Sequence, residues 1–380
     1  MLDSIRQLIK PKYRPLNRIE IFKKNILDNY KYLKSQSGKA EIWPVLKANA
    51  YGHGLKEMCR ILNKSKAKMV VVDSFPEAQI AYKKFHGQVL ILSEMPLRAY
   101  SYCNLKRTEF CVYNNSTLQY LSKLNKNIKI HLFVNTGMNR EGIGDLDIFL
   151  NENKDYLSQV EIVGFCSHFS AADESLETIK KQEQEFWRKL DTLKKNNIFP
   201  TKVHLGNSAA IFFCHDQRLT AFRAGLALYG YNPLNLNHPN YQKAENLKPA
   251  LRLSSTVACL QNIKKGDSVS YNGRYQANED ARVAIIPFGY FEGLSANWEN
   301  IRFYIENKNK NYYADTIGRI CMNICCLDCH HNPISVGDSV ELISPDKNKE
   351  NSLANLAIKT RTMSYEILAK LQSGINKKIV

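Results

Sequence analysis

The chain has 380 residues, 44% of them hydrophobic, which is enough for two domains with buried cores. No apolar run approaches the roughly 18 residues that cross a bilayer, and the start from Met1 to Arg6 lacks the apolar core of a signal peptide. We therefore expect a cytoplasmic protein without a membrane partner. The net charge of +17 comes from lysines scattered among asparagines, as in the predicted solvated loop at 306–311, so no nucleic-acid partner is expected.

Short β-branched runs alternate with amphipathic helical stretches over roughly the first 230 residues. Stretches such as 54–62, 77–85, 117–124 and 176–196 have apolar residues at helical spacing. Eight strands, each followed by a crossover, predict an α/β fold that begins with a (β/α)8 TIM-type barrel over residues 1–240. In such a barrel the active site lies at the carboxyl ends of the strands. The predicted strands are 42–46, 69–72, 89–92, 110–113, 128–134, 160–166, 202–205 and 220–222.

Lys47 ends the first of these strands, immediately before the small and glycine-rich stretch Ala-Asn-Ala-Tyr-Gly-His-Gly at 48–54. An amine in a crevice at the end of an interior strand can attack a carbonyl and form a Schiff base. The alternative is that Lys47 only extends from the end of the barrel into solvent. The flanking residues favour the Schiff-base lysine.

Small-residue turns follow predicted strands seven and eight, at 206–210 and 223–226. They place the hydroxyl of Ser208 and the backbone N–H of Gly225 where an anion can bind. Either turn alone is more often an ordinary βα connection. Together with Lys47 they favour pyridoxal phosphate, whose aldehyde and phosphate are held at opposite ends of one pocket.

The apolar period changes to two from about residue 251, which predicts a mostly β second domain at 241–380. Its predicted strands are 256–260, 268–271, 282–286, 301–305 and 339–343. Helical patterns return after Leu353, with Thr362 as the expected N-cap of the last helix. The tail at 376–378 is expected to fray.

The cysteines offer one competing interpretation. The sequence Cys-Leu-Asp-Cys-His at 326–330 matches the haem-attachment pattern, and neighbouring Cys and His residues could suggest zinc. The segment reads as a continuing strand, in which cysteines act as small hydrophobic residues. We expect no metal site, and reduced thiols rather than disulfides for all 10 cysteines.

Eight blocks resemble bacterial alanine racemases, and they occur in the same order along nearly the whole chain. The blocks are Val-Leu-Lys-Ala-Asn-Ala-Tyr-Gly-His-Gly at 45–54, Asn-Thr-Gly-Met-Asn-Arg at 135–140, Ser-His-Phe at 167–169, His204 with Asn-Ser-Ala at 207–209, Arg223 with Gly225, Tyr271 with Gly273, Gly-Tyr at 289–290, and Gly-Arg-Ile-Cys-Met at 318–322. The resemblance implies a pyridoxal 5'-phosphate enzyme that interconverts L- and D-alanine for peptidoglycan synthesis.

The resemblance assigns Lys47 and Tyr271 as the two catalytic bases, one on each face of the substrate Cα, because inversion needs an acid/base on both sides. A tyrosine acts as a base near neutral pH only if positive charge stabilises its phenolate, a role that the resemblance gives to Arg140 and His168. Arg223 is expected to face the cofactor's ring nitrogen with His204 bonded to it. The remaining implied contacts are Tyr51, Asn207, Ser208, Gly225, Leu226 and Tyr365 for the cofactor, and Arg140, Met322 and Tyr290 for the substrate.

By the same resemblance the protein is a homodimer with shared active sites, in which Tyr271, Tyr290 and Met322 come from the partner chain. Two alternatives stay open: an amino-acid racemase acting on serine or larger substrates, and a non-catalytic pyridoxal-phosphate-binding module. Their discrimination depends on measured turnover.

Several residues depart from the family pattern. Phe133 stands where a carbamylated lysine often supports the arginine equivalent to Arg140, and Asn135 and Asn323 replace common aspartates. Arg140 is therefore expected to lack an anionic partner, and we hypothesise that chloride or a neutral hydrogen-bond network replaces it. Ala224 replaces a usual proline, and the residues after Tyr290 are atypical.

Overall fold

The computed structural model describes residues 13–124, 127–174, 176–307 and 310–380, and the chain divides into two compact units. Residues 22–250 form one unit. The other combines residues 251–378 with the first described strand, β1 (Arg18–Ile21), which pairs with the strand beginning at Leu251. This division differs from the expected boundary at 240/241, because β1 joins the C-terminal sheet and residues 241–250 stay with the barrel.

Eight parallel strands form the core of the first unit: β2 (Glu41–Pro44), β3 (Met69–Val72), β4 (Gln88–Ile91), β5 (Thr108–Val112), β6 (Lys129–Phe133), β7 (Glu161–Cys166), β8 (Lys202–His204) and β9 (Ala221–Ala224). Strands β3 to β8 pair in chain order, and β2 pairs with β9. Backbone N–H groups of Leu46 and Thr220 donate to Val71 (2.7 Å) and Val203 (2.9 Å), which joins the two sets of strands. The predicted (β/α)8 barrel is confirmed.

Helices surround the barrel and explain why its strands are apolar on both faces, as in the fully buried Met-Val-Val-Val of β3. In the described residues they are α1 (Lys23–Gln36), α2 (Leu55–Leu62), α3 (Phe75–Lys84), α4 (Asn115–Leu124), α5 (Leu146–Glu152), α6 (Lys154–Leu157), α7 (Leu176–Lys195) and α8 (Tyr241–Ala244), with 3-10 turns at Leu97–Tyr102, Ala210–Phe212 and Leu226–Tyr229. One further short segment, Lys47–Tyr51, forms a helical turn with left-handed backbone angles. Within the described ranges, no helix has the length and apolar character needed to span a membrane.

Besides β1, the second unit contains the strands β10 (Leu251–Thr256), β11 (Cys259–Ile263), β12 (Ser268–Val269), β13 (Tyr275–Gln276), β14 (Ala281–Ile286), β15 (Arg302–Asn307), β16 (Lys310–Ile317), β17 (Cys325–Asp328), β18 (Ser339–Ile343) and β19 (Asn376–Ile379). Nine strands, β1 among them, form one sheet in the order β11-β14-β17-β16-β15-β18-β10-β1-β19, and β12 and β13 form a separate hairpin. Helices α9 (Leu353–Lys359) and α10 (Ser364–Lys370) follow β18, and a 3-10 turn covers Tyr271–Gly273.

Some local predictions for this unit are wrong. The predicted strand at 256–260 spans the junction of β10 and β11, because Val257 and Ala258 bond to Asp338 and Ile285 instead of continuing one ladder. The predicted strand at 268–271 stops at Val269. The N-cap position of the last helix is Met363, which makes no side-chain capping bond, and Thr362 instead contacts Glu366 through its hydroxyl.

Two segments expected to be irregular are strands. The expected loop at 306–311 belongs to the hairpin of β15 and β16, whose register includes the Asn307–Lys310 pair, and residues 308–309 lie outside the described part of the chain. The tail expected to fray forms β19 beside β1. Backbone pairing explains why this polar tail is a strand. For example, the N–H of Val380 donates to the carbonyl oxygen of Ile21 (2.9 Å).

Packing around Gly230 predicts a measurable loss of stability on substitution. Its φ is +92°, and a Cβ would lie 1.8 Å from the carbonyl oxygen of Lys248. We expect Gly230→Ala to lower the free energy of unfolding by about 2–4 kcal/mol in urea denaturation, because both overpacking and the positive φ oppose it. The matched control is Gly38→Ala, since Gly38 has φ +60° with nothing within 4 Å of its Cβ. It should cost about 1 kcal/mol, and equal losses would contradict the steric argument.

Candidate active site

Lys47 follows β2 at the carboxyl end of the barrel, and the next four residues have left-handed backbone angles. The φ values of Ala48, Asn49, Ala50 and Tyr51 lie between 51° and 54°. Each such residue costs roughly 1–2 kcal/mol, so the turn is strained. Strain of this kind persists where the surrounding structure fixes it, and it concentrates at functional sites.

Two acidic residues of the next βα connection support this turn. The carboxylate of Glu77 accepts hydrogen bonds from the backbone N–H groups of Ala48 (2.7 Å) and Asp73 (2.9 Å). The Nζ atom of Lys47 lies 3.8 Å from the carboxylate of Asp73, and the lysine side chain is 41% exposed. The amine is therefore held at the rim of the barrel, accessible to a small molecule.

The turns after β8 and β9 meet in a cradle. The hydroxyl oxygen of Ser208 accepts hydrogen bonds from the backbone N–H groups of Gly225 (2.9 Å) and Ala227 (3.3 Å). A Cβ on Gly225 would lie 2.6 Å from the hydroxyl oxygen of Tyr51, so only glycine leaves room for that hydroxyl beside the turn. Hydroxyl and backbone N–H donors around such a space suit a phosphate group.

Asn207 and Leu226 lie in the same two turns. The side-chain oxygen of Asn207 accepts hydrogen bonds from the N–H groups of Ala209 (3.1 Å) and Ala210 (3.3 Å). Leu226 begins the 3-10 turn after Gly225 and is 3% exposed. Asn207 thus stabilises the turn at 207–210, which forms one side of the cradle.

Arg223, on β9, places a buried guanidinium in the barrel. It donates to the carbonyl oxygens of Ser167 (2.7 Å) and His204 (3.0 Å). It also donates to the Nδ1 atoms of His204 (2.6 Å) and His168 (2.9 Å). A guanidinium only donates, so both Nδ1 atoms must be unprotonated acceptors.

Both histidines are consequently neutral, with the proton on Nε2. Burial, reinforced by the charge of Arg223, lowers the pKa of His168 and of His204 well below the ordinary value. The expected contact between His204 and Arg223 is present. His168, however, does not carry the positive charge that was expected of it, because its surroundings disfavour the imidazolium.

Arg140 has an anionic partner in the next residue. Its Nη2 atom lies 2.5 Å from the carboxylate of Glu141, which also contacts Nε. The arginine side chain is 55% exposed, and the hydrogen bond to Glu141 raises its pKa. The expectation of an unpaired Arg140 is therefore wrong, and the chloride hypothesis loses its basis. Phe133 instead packs in the barrel core.

In the second unit, the predicted residues Tyr271, Tyr290 and Met322 lie on segments that hydrogen bonds hold together. The hydroxyl of Ser270 donates to the carbonyl oxygen of Arg319 (2.6 Å), and the N–H of Tyr290 donates to Cys321 (3.0 Å). The exposed fractions of Tyr271, Tyr290 and Met322 are 65%, 45% and 56%. Tyr365, in α10 of the same unit, is 41% exposed.

Two departures from the family pattern compensate each other in this unit. The side-chain amide of Asn323 donates to Glu292 (2.9 Å), whose carboxylate also accepts the N–H of Gly289 (2.8 Å). An aspartate at position 323 would face Glu292 with like charge. Asparagine and glutamate at these positions therefore form a consistent pair.

Comparisons with known proteins cover both units. The family model described as alanine racemase, N-terminal domain, matches residues 21–233, and the model of the C-terminal domain matches residues 250–379. The chain belongs to the alanine racemase family. An alanine racemase of Borreliella burgdorferi (strain ZS7) is 31% identical over 359 residues, which are 91% of this chain and 92% of that protein.

Solved structures of other alanine racemases have the same fold. That from Clostridium difficile 630 matches with a TM-score of 0.86 at 27% identity and covers 97% of both chains. That from Bacillus anthracis, with bound L-Ala-P, matches with a TM-score of 0.89 at 25% identity and covers 98% of this chain and 96% of its own.

The cysteine-rich segment of this alanine racemase family member has ordinary strand surroundings. Burial raises the pKa of Cys326 and of Cys329 to about 11, which favours the thiol over a metal-binding thiolate. His330 lies 2.7 Å from the carboxylate of Asp315. All ten cysteines are free, and no metal-binding group of His, Cys, Asp and Glu occurs within the described ranges.

Four polar residues of the barrel site were missed from the sequence. Glu77 accepts a hydrogen bond from the Lys47 turn and the carboxylate of Asp73 lies beside the amine, whereas Glu109 and His131 extend the contacts of His204 inward. The available signal was a charged or polar residue inside an apolar strand, as in Thr-Glu-Phe-Cys-Val of β5 and Lys-Ile-His-Leu-Phe of β6.

Proposed function

We propose that the chain is a pyridoxal 5'-phosphate-dependent enzyme that interconverts L-alanine and D-alanine by a two-base mechanism and supplies D-alanine for peptidoglycan. The observation that carries the proposal is the phosphate cradle around Gly225 together with the amine of Lys47 on its strained turn, in a chain of the alanine racemase family. When bound, the cofactor supplies an electron sink for the substrate Cα. The cytoplasmic location stays a prediction.

The donor set of the barrel fits this cofactor. Tyr51, Ser208 and the backbone of Gly225 and Leu226 would hold the phosphate, joined by Tyr365, and Lys47 would form the covalent attachment. Arg223 would face the ring nitrogen. Because a guanidinium cannot accept a proton, this contact would leave the ring nitrogen unprotonated and would favour simple proton return over transamination.

Racemisation needs proton transfer at both faces of the substrate Cα, and Lys47 and Tyr271 are the proposed bases. Arg140 would bind the substrate carboxylate and provide the positive charge that favours a tyrosine phenolate. His168 is neutral, so its proposed role is to donate its Nε2–H as a hydrogen bond. The backbone N–H of Met322 and the ring of Tyr290 would complete the substrate pocket and restrict it to a small side chain.

The proposed assembly is a homodimer in which the second unit of each chain completes the barrel site of the other. Support comes from Tyr271, Tyr290 and Met322, which are large side chains exposed on a single unit. Exposed apolar groups clustered in this way are typical of interfaces.

Substrate range is the first test. The purified chain loaded with pyridoxal phosphate should racemise L-alanine with a kcat/KM at least about tenfold above that for L-serine, because added polar bulk is poorly accommodated in a small pocket. Polarimetry or chiral chromatography over a panel of L-amino acids measures this. Equal or faster turnover of L-serine or larger residues would favour the broad-spectrum alternative.

Removal of the Tyr271 hydroxyl tests whether the protein is a racemase or a non-catalytic binding module. Tyr271→Phe should lower kcat about 10²–10⁴-fold, because one face of the Cα loses its acid/base, while the cofactor's visible absorbance is retained. Tyr275→Phe is the matched control, since it deletes a nearby hydroxyl that bonds only to Asp328 among the described residues (3.3 Å). It should keep kcat within about twofold. A wild-type chain that binds the cofactor but never turns over would instead be the non-catalytic module.

Mixing two inactive variants tests the shared site. Lys47→Ala and Tyr271→Phe chains, unfolded and refolded together in equal amounts, should recover about a quarter of wild-type activity, because half of the dimers regain one intact site. Each variant refolded alone is the control. No recovery, with heterodimers demonstrated by mass spectrometry, would place both bases of a site on the same chain.

A further inference from the structure

A line of buried polar side chains extends from Arg223 into the interior of the barrel. The Nε2 atom of His204 lies 2.8 Å from the Nδ1 atom of His131, and the Nε2 atom of His131 lies 2.7 Å from the carboxylate of Glu109. The exposed fractions of Glu109, His131 and His204 are 1%, 0% and 0%. Trp43 packs edge-on against both rings, with centroid distances of 4.9 Å to His204 and 6.1 Å to His131.

Hydrogen-bond chemistry fixes every proton along this line. Arg223 can only donate, so Nδ1 of His204 accepts and its Nε2 carries the proton. That N–H donates to Nδ1 of His131, which leaves the proton of His131 on its own Nε2. The Nε2–H of His131 then donates to the carboxylate of Glu109. Acceptors and donors alternate without conflict over the whole line.

The charges at the inner end agree with this assignment. Burial raises the pKa of Glu109, but hydrogen bonds from His131 and Lys202 oppose it, and the net shift is downward. Burial lowers the pKa of His131 more than Glu109 raises it. The pair is therefore a carboxylate and a neutral imidazole, and the amine of Lys202 contacts the other oxygen of Glu109.

The fold makes specific room for the ring of His131. It lies opposite Gly164 on β7, where the register between β6 and β7 shifts. A Cβ on Gly164 would lie 1.9 Å from Nδ1 of His131. The imidazole thus occupies space that any other residue at 164 would fill.

Without the carboxylate of Glu109, a second arrangement of the ring protons becomes possible. A His131 ring with the proton on Nδ1 would present a donor to the Nε2–H of His204. The His204 ring would then have to rotate or change tautomer, and Arg223 would lose its imidazole acceptor. Glu109 excludes this state because it accepts only from a protonated Nε2 of His131.

We propose that Glu109 and His131 are positioning residues, which hold His204 in its Nε2–H tautomer and thereby orient the guanidinium of Arg223 in the active site. The proposal rests on the proposed function in one respect, since the orientation of Arg223 affects turnover only if this barrel is the catalytic site. The tautomers themselves can be measured without cofactor or substrate.

The first experiment is ¹⁵N NMR of the wild-type chain labelled at its histidine rings, without cofactor, at neutral pH. His131→Asn and His204→Gln variants assign the signals. Both rings should show an unprotonated Nδ1 and a protonated Nε2. A protonated Nδ1 in either ring would overturn the proposal. Assignment of one ring suffices if the other variant does not fold, because the tautomer of either ring fixes that of its hydrogen-bonded partner.

The second experiment compares two substitutions of the carboxylate. Glu109→Gln keeps an oxygen acceptor for His131 and should retain the His204 signals, with kcat lowered no more than about fivefold. Glu109→Leu removes the acceptor, so His204 should populate mixed tautomers and kcat should fall at least about 30-fold, with KM for L-alanine changed less than about twofold. Wild-type signals and kcat in Glu109→Leu would overturn the proposal.

The matched control is Glu341→Gln in the other unit. Glu341 is 6% exposed and accepts a hydrogen bond from Lys349 (2.9 Å), so it resembles Glu109 in burial and pairing. Glu341→Gln should reduce thermal stability but leave the His204 signals and kcat unchanged. If it changed the His204 signals and kcat as much as the Glu109 substitutions do, a specific role for Glu109 would be overturned. Failure of the wild-type chain to racemise any amino acid would contradict the proposed function, whereas the predicted tautomers would still support the order of protons.

Discussion

The barrel site depends on one constraint, which is the solvation of the guanidinium of Arg223 in an apolar interior. A buried charge is costly unless hydrogen bonds replace its lost water, and here carbonyl oxygens and two imidazole nitrogens do so. Because arginine offers only donors, every neighbour must be an acceptor. This requirement sets the tautomer of His168. The tautomers of His204 and His131 are constrained from both ends of their line, by the donor-only Arg223 at one end and by the accepting carboxylate of Glu109 at the other.

The two ends of the proposed cofactor site are rigid for different reasons. At the amine end, Lys47 precedes four left-handed residues. A hydrogen bond from this turn to Glu77 stabilises its strained backbone. At the phosphate end, the backbone at Gly225 approaches Tyr51 more closely than a side chain would allow. A ligand bound at both ends meets preformed geometry, which lowers the entropy cost of ordering the site.

The sequence predicts the barrel strands well because strands covered on both faces are continuous apolar runs, as at 69–72. It predicts the second unit less well, since β propensity continues across the corner at 256–260 and does not reveal where a ladder changes partner. Strand β19 is polar and has no apolar pattern that would predict it. It forms because its backbone pairs with the neighbouring strand β1. Family resemblance supplied the residues proposed to bind the ligand, but not Glu109 and His131. Those residues depend on partners 22 and 73 positions away, and a single sequence does not display such contacts.

Relocation of negative charge explains how this chain tolerates its departures from the family pattern. Asn135 is neutral and caps its turn by accepting the N–H groups of Gly137 (2.9 Å) and Asn139 (3.1 Å), so it no longer balances Arg140. Glu141 provides that balance in an ion pair with the 55% exposed side chain of Arg140, where solvent screening limits the contribution to at most about 1 kcal/mol. The pairing is therefore weaker than one with a fully buried anion. In the proposed two-base mechanism, the charge of Arg140 is what favours the phenolate of the partner chain's tyrosine, so a weakly paired arginine is consistent with the charge that proton transfer needs.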